Sequence, residues 1–133
     1  MPSAPQRTGP QPLAPPVIKE RFTPRPCPRS RAARGTTIGA EACLEKRIIR
    51  LDAKIDARAR AIFRLLRDAT AKRRFLVAER LWLGYRAASC TSVADVYRGG
   101  SAEPVAFADC LVSRDREHLA ELAPFEGFLR RIR

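Results

Sequence analysis

The chain has 133 residues, with 26 Lys and Arg against 14 Asp and Glu, for a net charge of +12. That length suits one small domain, whose modest core benefits from extra constraints such as disulfides. No run approaches the ~20 apolar residues of a membrane span, so no spanning helix is expected.

The charge surplus is spread along the chain: residues 1–42 carry seven Lys/Arg and two Glu, and residues 43–133 carry nineteen Lys/Arg and twelve Asp/Glu. Such a field attracts polyanions without choosing among them. Nucleic acid, anionic lipid and acidic cell-wall polymer all qualify.

Residues 1–38 are dominated by Pro, Arg, Ser, Thr and Gly, and nine of the eleven prolines precede position 30. Proline removes backbone donors and disfavours helix in the residue before it. The expectation is a disordered basic Pro-rich arm over 1–38, followed by a helical domain over 39–133. Its arginines, Arg21, Arg25, Arg29, Arg31 and Arg34, suit weak, salt-sensitive polyanion binding. The opening MPSAPQRTGPQPLAPPVIKE lacks the apolar core of a secretory leader.

From Ala40 to about Ala69 the pattern is helical. Leu44, Ile48, Leu51, Ile55, Ala59, Ile62 and Leu66 recur every three or four residues as one apolar stripe. A second helix is expected from about Thr70, as its cap, to Ser89, with Phe75, Ala78, Leu81, Trp82, Tyr85 and Ala88 facing inward. The two helices can also run on with only a bend. TSVADVYRGGSAEP reads as turn, punctuated by Gly99, Gly100 and Pro104. A third helix covers about Val105 to Leu122, with Phe107, Leu111 and Leu119 as anchors, and Pro124 closes it. FEGFLRRIR receives no element. The fold class is therefore all-α, a small helical hairpin or three-helix domain behind the arm.

Four cysteines, Cys27, Cys43, Cys90 and Cys110, include no close Cys-x-x-Cys pair, and His118 is the one histidine. Zinc sites show close ligand pairs, so no metal and no cofactor are expected. An even count in a small domain suits disulfides and an oxidising compartment. The absent leader sets up a conflict. Either export uses a segment upstream of this start, or the thiols stay reduced. Four cysteines permit three pairings. Antiparallel packing of the second and third helices brings Cys90 and Cys110 to one end of a hairpin, within the ~6 Å that a bridge needs. Cys27 is then left to pair with Cys43. The alternative is four reduced, small apolar residues.

Two blocks carry a family resemblance. Nine residues after Cys43 comes Asp52, followed by Ile55-Asp56. The stretch FLVAERLWLGYRAASC then places Ala78, Trp82, Tyr85, Arg86 and Cys90 at fixed spacing, with Cys110 beyond Gly99-Gly100. This resembles the LprI-like lysozyme-inhibitor family, with its Ala-Gln-x-x-Trp-x-x-Tyr-Arg-x-x-x-Cys pattern. Glu79 stands in place of Gln, Asp56 in place of Asn, and Ala59 in place of an aromatic. The resemblance implies a non-enzymatic exported binding protein, periplasmic or secreted, with a partner in the cell envelope, lysozyme among the candidates. It marks Trp82, Tyr85, Arg86, Asp52 and Asp56 as family-motif and candidate binding residues.

The same residues can be read physically. Trp82, Tyr85 and Arg86 are expected as core and rim, with Arg86 stacked on Trp82 or reaching Asp109 or Glu117. No catalytic residue is expected: no Ser or Cys has a recognisable base, and His118 sits among charges as a solvated residue. A cationic lysozyme would be repelled at long range, so inhibition would need a locally acidic or apolar patch, for which Asp95, Glu103 and Asp109 are available. The alternative function is a basic nucleic-acid- or polyanion-binding protein; a third is a copy with no retained activity.

Overall fold

A computed structural model describes residues 13–132. The order is α1 (Arg31–Arg34), α2 (Thr37–Leu65), α3 (Ala69–Ala94), a 3-10 turn (Asp95–Tyr97) and α4 (Ala102–Arg131), with no strand among the described residues. The all-α class stands. α4 is the shared partner, packed along both α2 and α3. Phe75 faces Phe125, Arg86 meets Asp115, and Cys90 joins Cys110, so α3 and α4 run antiparallel. Asp115 also lies across Arg86 from Asp52, and Arg58 reaches Glu126, so α2 runs alongside α4 in the same direction.

α2 forms where its stripe predicts. Ile48, Ile55, Ala59, Ile62 and Leu66 are buried, and Leu44 and Leu51 are half-buried. It starts at Thr37, earlier than expected, because the Thr36 side chain accepts from the Gly39 amide at 3.0 Å and caps the first turn. Any side chain at Gly39 would run into the Ala33 carbonyl of α1. Glycine there is what lets α1 cross the start of α2.

Three boundaries differ from the sequence reading. The helices do not run on through residue 66: Leu66 is extended, and Asp68, not Thr70, caps α3 by accepting from the Ala71 amide at 2.8 Å. α3 continues past Ser89 to Ala94, because Cys90 and Ala94 are both buried. α4 starts at Ala102 and passes through Pro124 to Arg131, so the proline does not close it. A mid-helix proline costs about 3 kcal/mol. Burying Leu129, with Phe75 against Phe125 at 6.3 Å and Arg58 bound to Glu126 at 3.3 Å, offsets a cost of that size.

Of the expected arm, residues 1–12 lie outside the described residues. Residues 13–30 lack regular secondary structure, as their prolines dictate, yet they are docked on the helices. The Ile18 amide donates to Asp56 at 3.0 Å, Glu20 pairs with Arg86 at 2.7 Å, and Arg25 pairs with Glu41 and Glu45 at 3.2 and 3.5 Å. Phe22 packs on the core, and Cys27 is bonded to Cys43.

Both expected disulfides form, Cys27–Cys43 and Cys90–Cys110. The second closes a loop of 20 residues between α3 and α4. Opening it through Cys110→Ser should lower stability by about 3 kcal/mol, mostly by freeing the unfolded chain. Denaturant unfolding of non-reduced protein measures this. An unchanged midpoint would remove the staple from the account of stability.

Candidate functional site: a buried ionic layer and the surfaces around it

The apolar core is in two parts. One gathers Ile55, Ile62, Phe63, Phe75, Leu122 and Leu129; the other gathers Ile48, Cys90, Ala108, Leu111 and Val112. Between them each of the three long helices, α2, α3 and α4, contributes charge. Asp52 lies between Ile48 and Ile55 on α2, Glu79 and Arg86 between Phe75 and Cys90 on α3, and Asp115 and His118 between Val112 and Leu122 on α4. Among the described residues all six buried polar side chains are acidic or basic: these five and Glu45.

Arg86 is the hub. Its Nη1 donates to Asp115 at 2.9 Å and to Asp52 at 3.3 Å, and its Nη2 donates to Glu20 at 2.7 Å. Its guanidinium also lies 5.5 Å from the centre of the Trp82 ring. The expected carboxylates are not its partners. Asp109 is exposed, and Glu117 instead pairs with Arg114 at 3.1 Å. They lie outside the reach of Arg86 because α4 turns Asp115, not its neighbours, toward α3.

His118 corrects the expectation of a solvated residue. It is 5% exposed, stacked on Trp82 with centroids 3.7 Å apart and planes 9° apart, and its Nε2 lies 2.9 Å from a Glu79 oxygen. An imidazole so placed is wedged between an indole face and a carboxylate, both on α3, and locks α4 to it. Trp82 thus contacts both His118 and Arg86.

Three carboxylates around one guanidinium leave surplus negative charge in a water-poor place. Burial, reinforced by the facing carboxylates of Asp115 and Glu20, pushes Asp52 up to about 10. Asp52 therefore holds a proton at neutral pH. A protonated carboxyl can accept from Arg86 and donate to a neighbouring carboxylate, which removes the like-charge conflict. Burial also raises Asp56, against the pull of the Ile18 amide, and raises Glu45 beside Glu41. Arg86 is held charged, its carboxylate neighbours outweighing its own desolvation.

The inward line on α3 is thus Phe75, Glu79, Trp82, Arg86 and Cys90, at helical spacing. The expected inward face is wrong at four positions. Ala78, Leu81, Tyr85 and Ala88 are exposed, because the buried partners that α3 meets are charged and select Glu79 and Arg86. Of the candidate binding residues, the fold unites Asp52, Trp82 and Arg86. Asp56 anchors the arm, and Tyr85 stands 57% exposed on the outside. Glu20 and Asp115 join the layer with no expectation attached to them, and Glu79 and His118 take buried roles instead of a family-position substitution and a solvated side chain. The Glu79-x-x-Trp82-x-x-x-Arg86-x-x-x-Cys90 spacing was the available signal for Glu79.

A second feature is a groove of about 490 Å³ where the 3-10 turn meets α2 and α4. Leu44, Val93, Tyr97, Val105 and Ala106 give it apolar walls, and Asp109 and Arg114 add charge to its lining. Beside it the turn projects Val96, 80% exposed, and Tyr97, 51% exposed. Gly99, at φ +81°, reverses the chain and lets its amide donate to Glu103 at 2.8 Å.

The ionic layer yields two tests. Arg86→Met strands buried carboxylates and should cost about 3–5 kcal/mol in denaturant unfolding; a loss below 1 kcal/mol would remove the hub role. The folded chain also holds a proton on Asp52 that the unfolded chain, with its carboxyl near 3.8, releases. This contribution is full below about pH 4 and is lost as pH rises toward 10, and Asp56 and Glu45 act in the same direction. Unfolding midpoints at constant salt should fall from pH 5 to pH 9, by at most about 1.4 kcal/mol per pH unit for one proton. Asp52→Asn should flatten that slope; an unaltered slope would place the proton elsewhere.

The family described as lysozyme inhibitor LprI matches residues 27–122. A search of curated proteins and a search of solved structures each return no significant match. The matched span opens at Cys27, closes at Leu122, and contains both disulfides, Asp52, Arg86, Asp115 and His118. The residues that make the family pattern recognisable are therefore largely the ones that build this core, and the chain belongs to the LprI lysozyme-inhibitor family.

Proposed function

We propose that the chain is an exported, non-enzymatic binding protein that inhibits a lysozyme, and that the contact is the bundle end formed by the 3-10 turn and the adjoining groove. Family membership supports the activity. The observation that carries the placement is a patch both apolar and acidic on a chain of net charge +12. Val93, Val96 and Tyr97 are exposed there, and the three acids alongside, Asp95, Glu103 and Asp109, outnumber the two bases, Arg98 (paired with Asp95) and Arg114. A cationic enzyme repelled by the rest of the surface is attracted only where the local sign reverses. Tyr97 is the natural anchor, since tyrosines at a patch centre carry a disproportionate share of binding energy. Export is supported by two disulfides, which persist in oxidising compartments.

In a cell-wall lysis assay, excess chain should slow a lysozyme. Tyr97→Ala should weaken inhibition by roughly tenfold or more, and Asp109→Lys should slow association most at low salt. Undiminished lysis at excess chain would overturn the activity; inhibition indifferent to both variants would overturn the placement. Export is read separately from protein recovered from native cells. Four thiols open to alkylation without reduction would end that part of the reading.

A further inference from the structure

The outer face of α3 has the opposite character. Val77, Leu81 and Tyr85, four residues apart, are 50%, 68% and 57% exposed, and Ala88 continues their line. Arg73, Arg74 and Arg80 flank them, exposed and in no ion pair with any described residue. Glu79, the one acid within α3, is turned into the core. From Ala69 to Ala94 the exposed face therefore offers apolar groups and arginines with no anion, along a helix about 39 Å long.

We infer that this face is a docking surface for an anionic lipid bilayer, on which α3 lies flat. An in-plane helix that sinks apolar side chains to the headgroup boundary while its arginines meet lipid phosphates has this composition. Arginine and tyrosine suit the boundary because their apolar bodies bury while their polar ends stay wet. No helix among the described residues is long and apolar enough to cross a membrane. A second copy of the chain is disfavoured: its charge of +12 and the same three arginines would meet like charge. Nucleic acid would engage the arginines and leave Val77, Leu81 and Tyr85 without a partner. The face is distinct from the acidic groove end, so the inference stands apart from the lysozyme contact.

Co-sedimentation of the full chain with vesicles tests it. Vesicles of phosphatidylglycerol and phosphatidylcholine should retain the chain, and vesicles of phosphatidylcholine alone should not. Leu81→Asp changes an exposed side chain, so circular dichroism and melting temperature should stay the same while vesicle affinity falls by roughly tenfold. Replacing Arg73, Arg74 and Arg80 together by Gln should lower affinity at least as much. Equal binding to both vesicle types, or Leu81→Asp binding as tightly as the parent chain, would overturn the inference; the second result would mean diffuse polyanion attraction. So would a dimer in size-exclusion chromatography that Leu81→Asp dissociates, since the face would then be covered by a second copy.

Discussion

One guanidinium holds this molecule together. Arg86 on α3 contacts Asp52 of α2, Asp115 of α4 and Glu20 of the N-terminal arm, so every long segment of the described chain ends at the same cation. Buried ion pairs are not in themselves large sources of stability, because desolvation consumes most of the attraction. Their effect here is to make alternatives costly. Sliding α3 by one turn against α4 would strand Arg86, Asp115, Glu79 and His118 together, and each unpaired buried charge costs several kcal/mol. Apolar residues alone tolerate such slippage far better. The proton held by Asp52 belongs to the same device, since it lets three carboxyl groups share one cation.

The two disulfides and the arm fit around that layer. Cys90–Cys110 lies one turn beyond Arg86 along α3, and Cys27–Cys43 fixes the arm to α2 about two and a half turns before Asp52. The arm then has little freedom left. Closing it at Cys27 shortens the loop that Glu20, Phe22 and Ile18 must pay to dock. A Pro-rich segment that would roam free on a longer tether becomes one wall of the core, and its own charge satisfies part of the layer.

Spending charged residues on the inside changes what is available outside. α3 has Glu79 and Arg86 inward, so its outer face is left with Val77, Leu81, Tyr85 and arginines. At the 3-10 turn, by contrast, Asp109 and Arg114 line an apolar groove, with Asp95 paired to Arg98 and Glu103 bound to the Gly99 amide nearby. A strongly basic chain thus exposes two apolar surfaces at different places on the bundle, one flanked by arginines and the other by acids as well as bases. Most of the family pattern, namely Asp52, Trp82, Arg86 and Cys90, serves the interior; Ala78 and Tyr85 face out.

By itself the sequence determined the helical class, the α2 stripe from Ile48 to Leu66, the Cys90–Cys110 hairpin and the family, because those rest on spacing along one chain: apolar residues at three and four, cysteines at fixed intervals. The tertiary structure decided the rest. Which side of α3 faces inward could not be read from its own residues, since Leu81 and Tyr85 outrank Glu79 and Arg86 on any scale of hydrophobicity. That order reverses only when Asp52, Asp115, Glu20 and His118 arrive from elsewhere to pair with the charges. Pro124 and the arm follow the same logic. A proline's cost and a Pro-rich segment's freedom are local, but the burial of Leu129 and the pairing of Glu20 that outweigh them are contacts across the fold, and no local pattern records them.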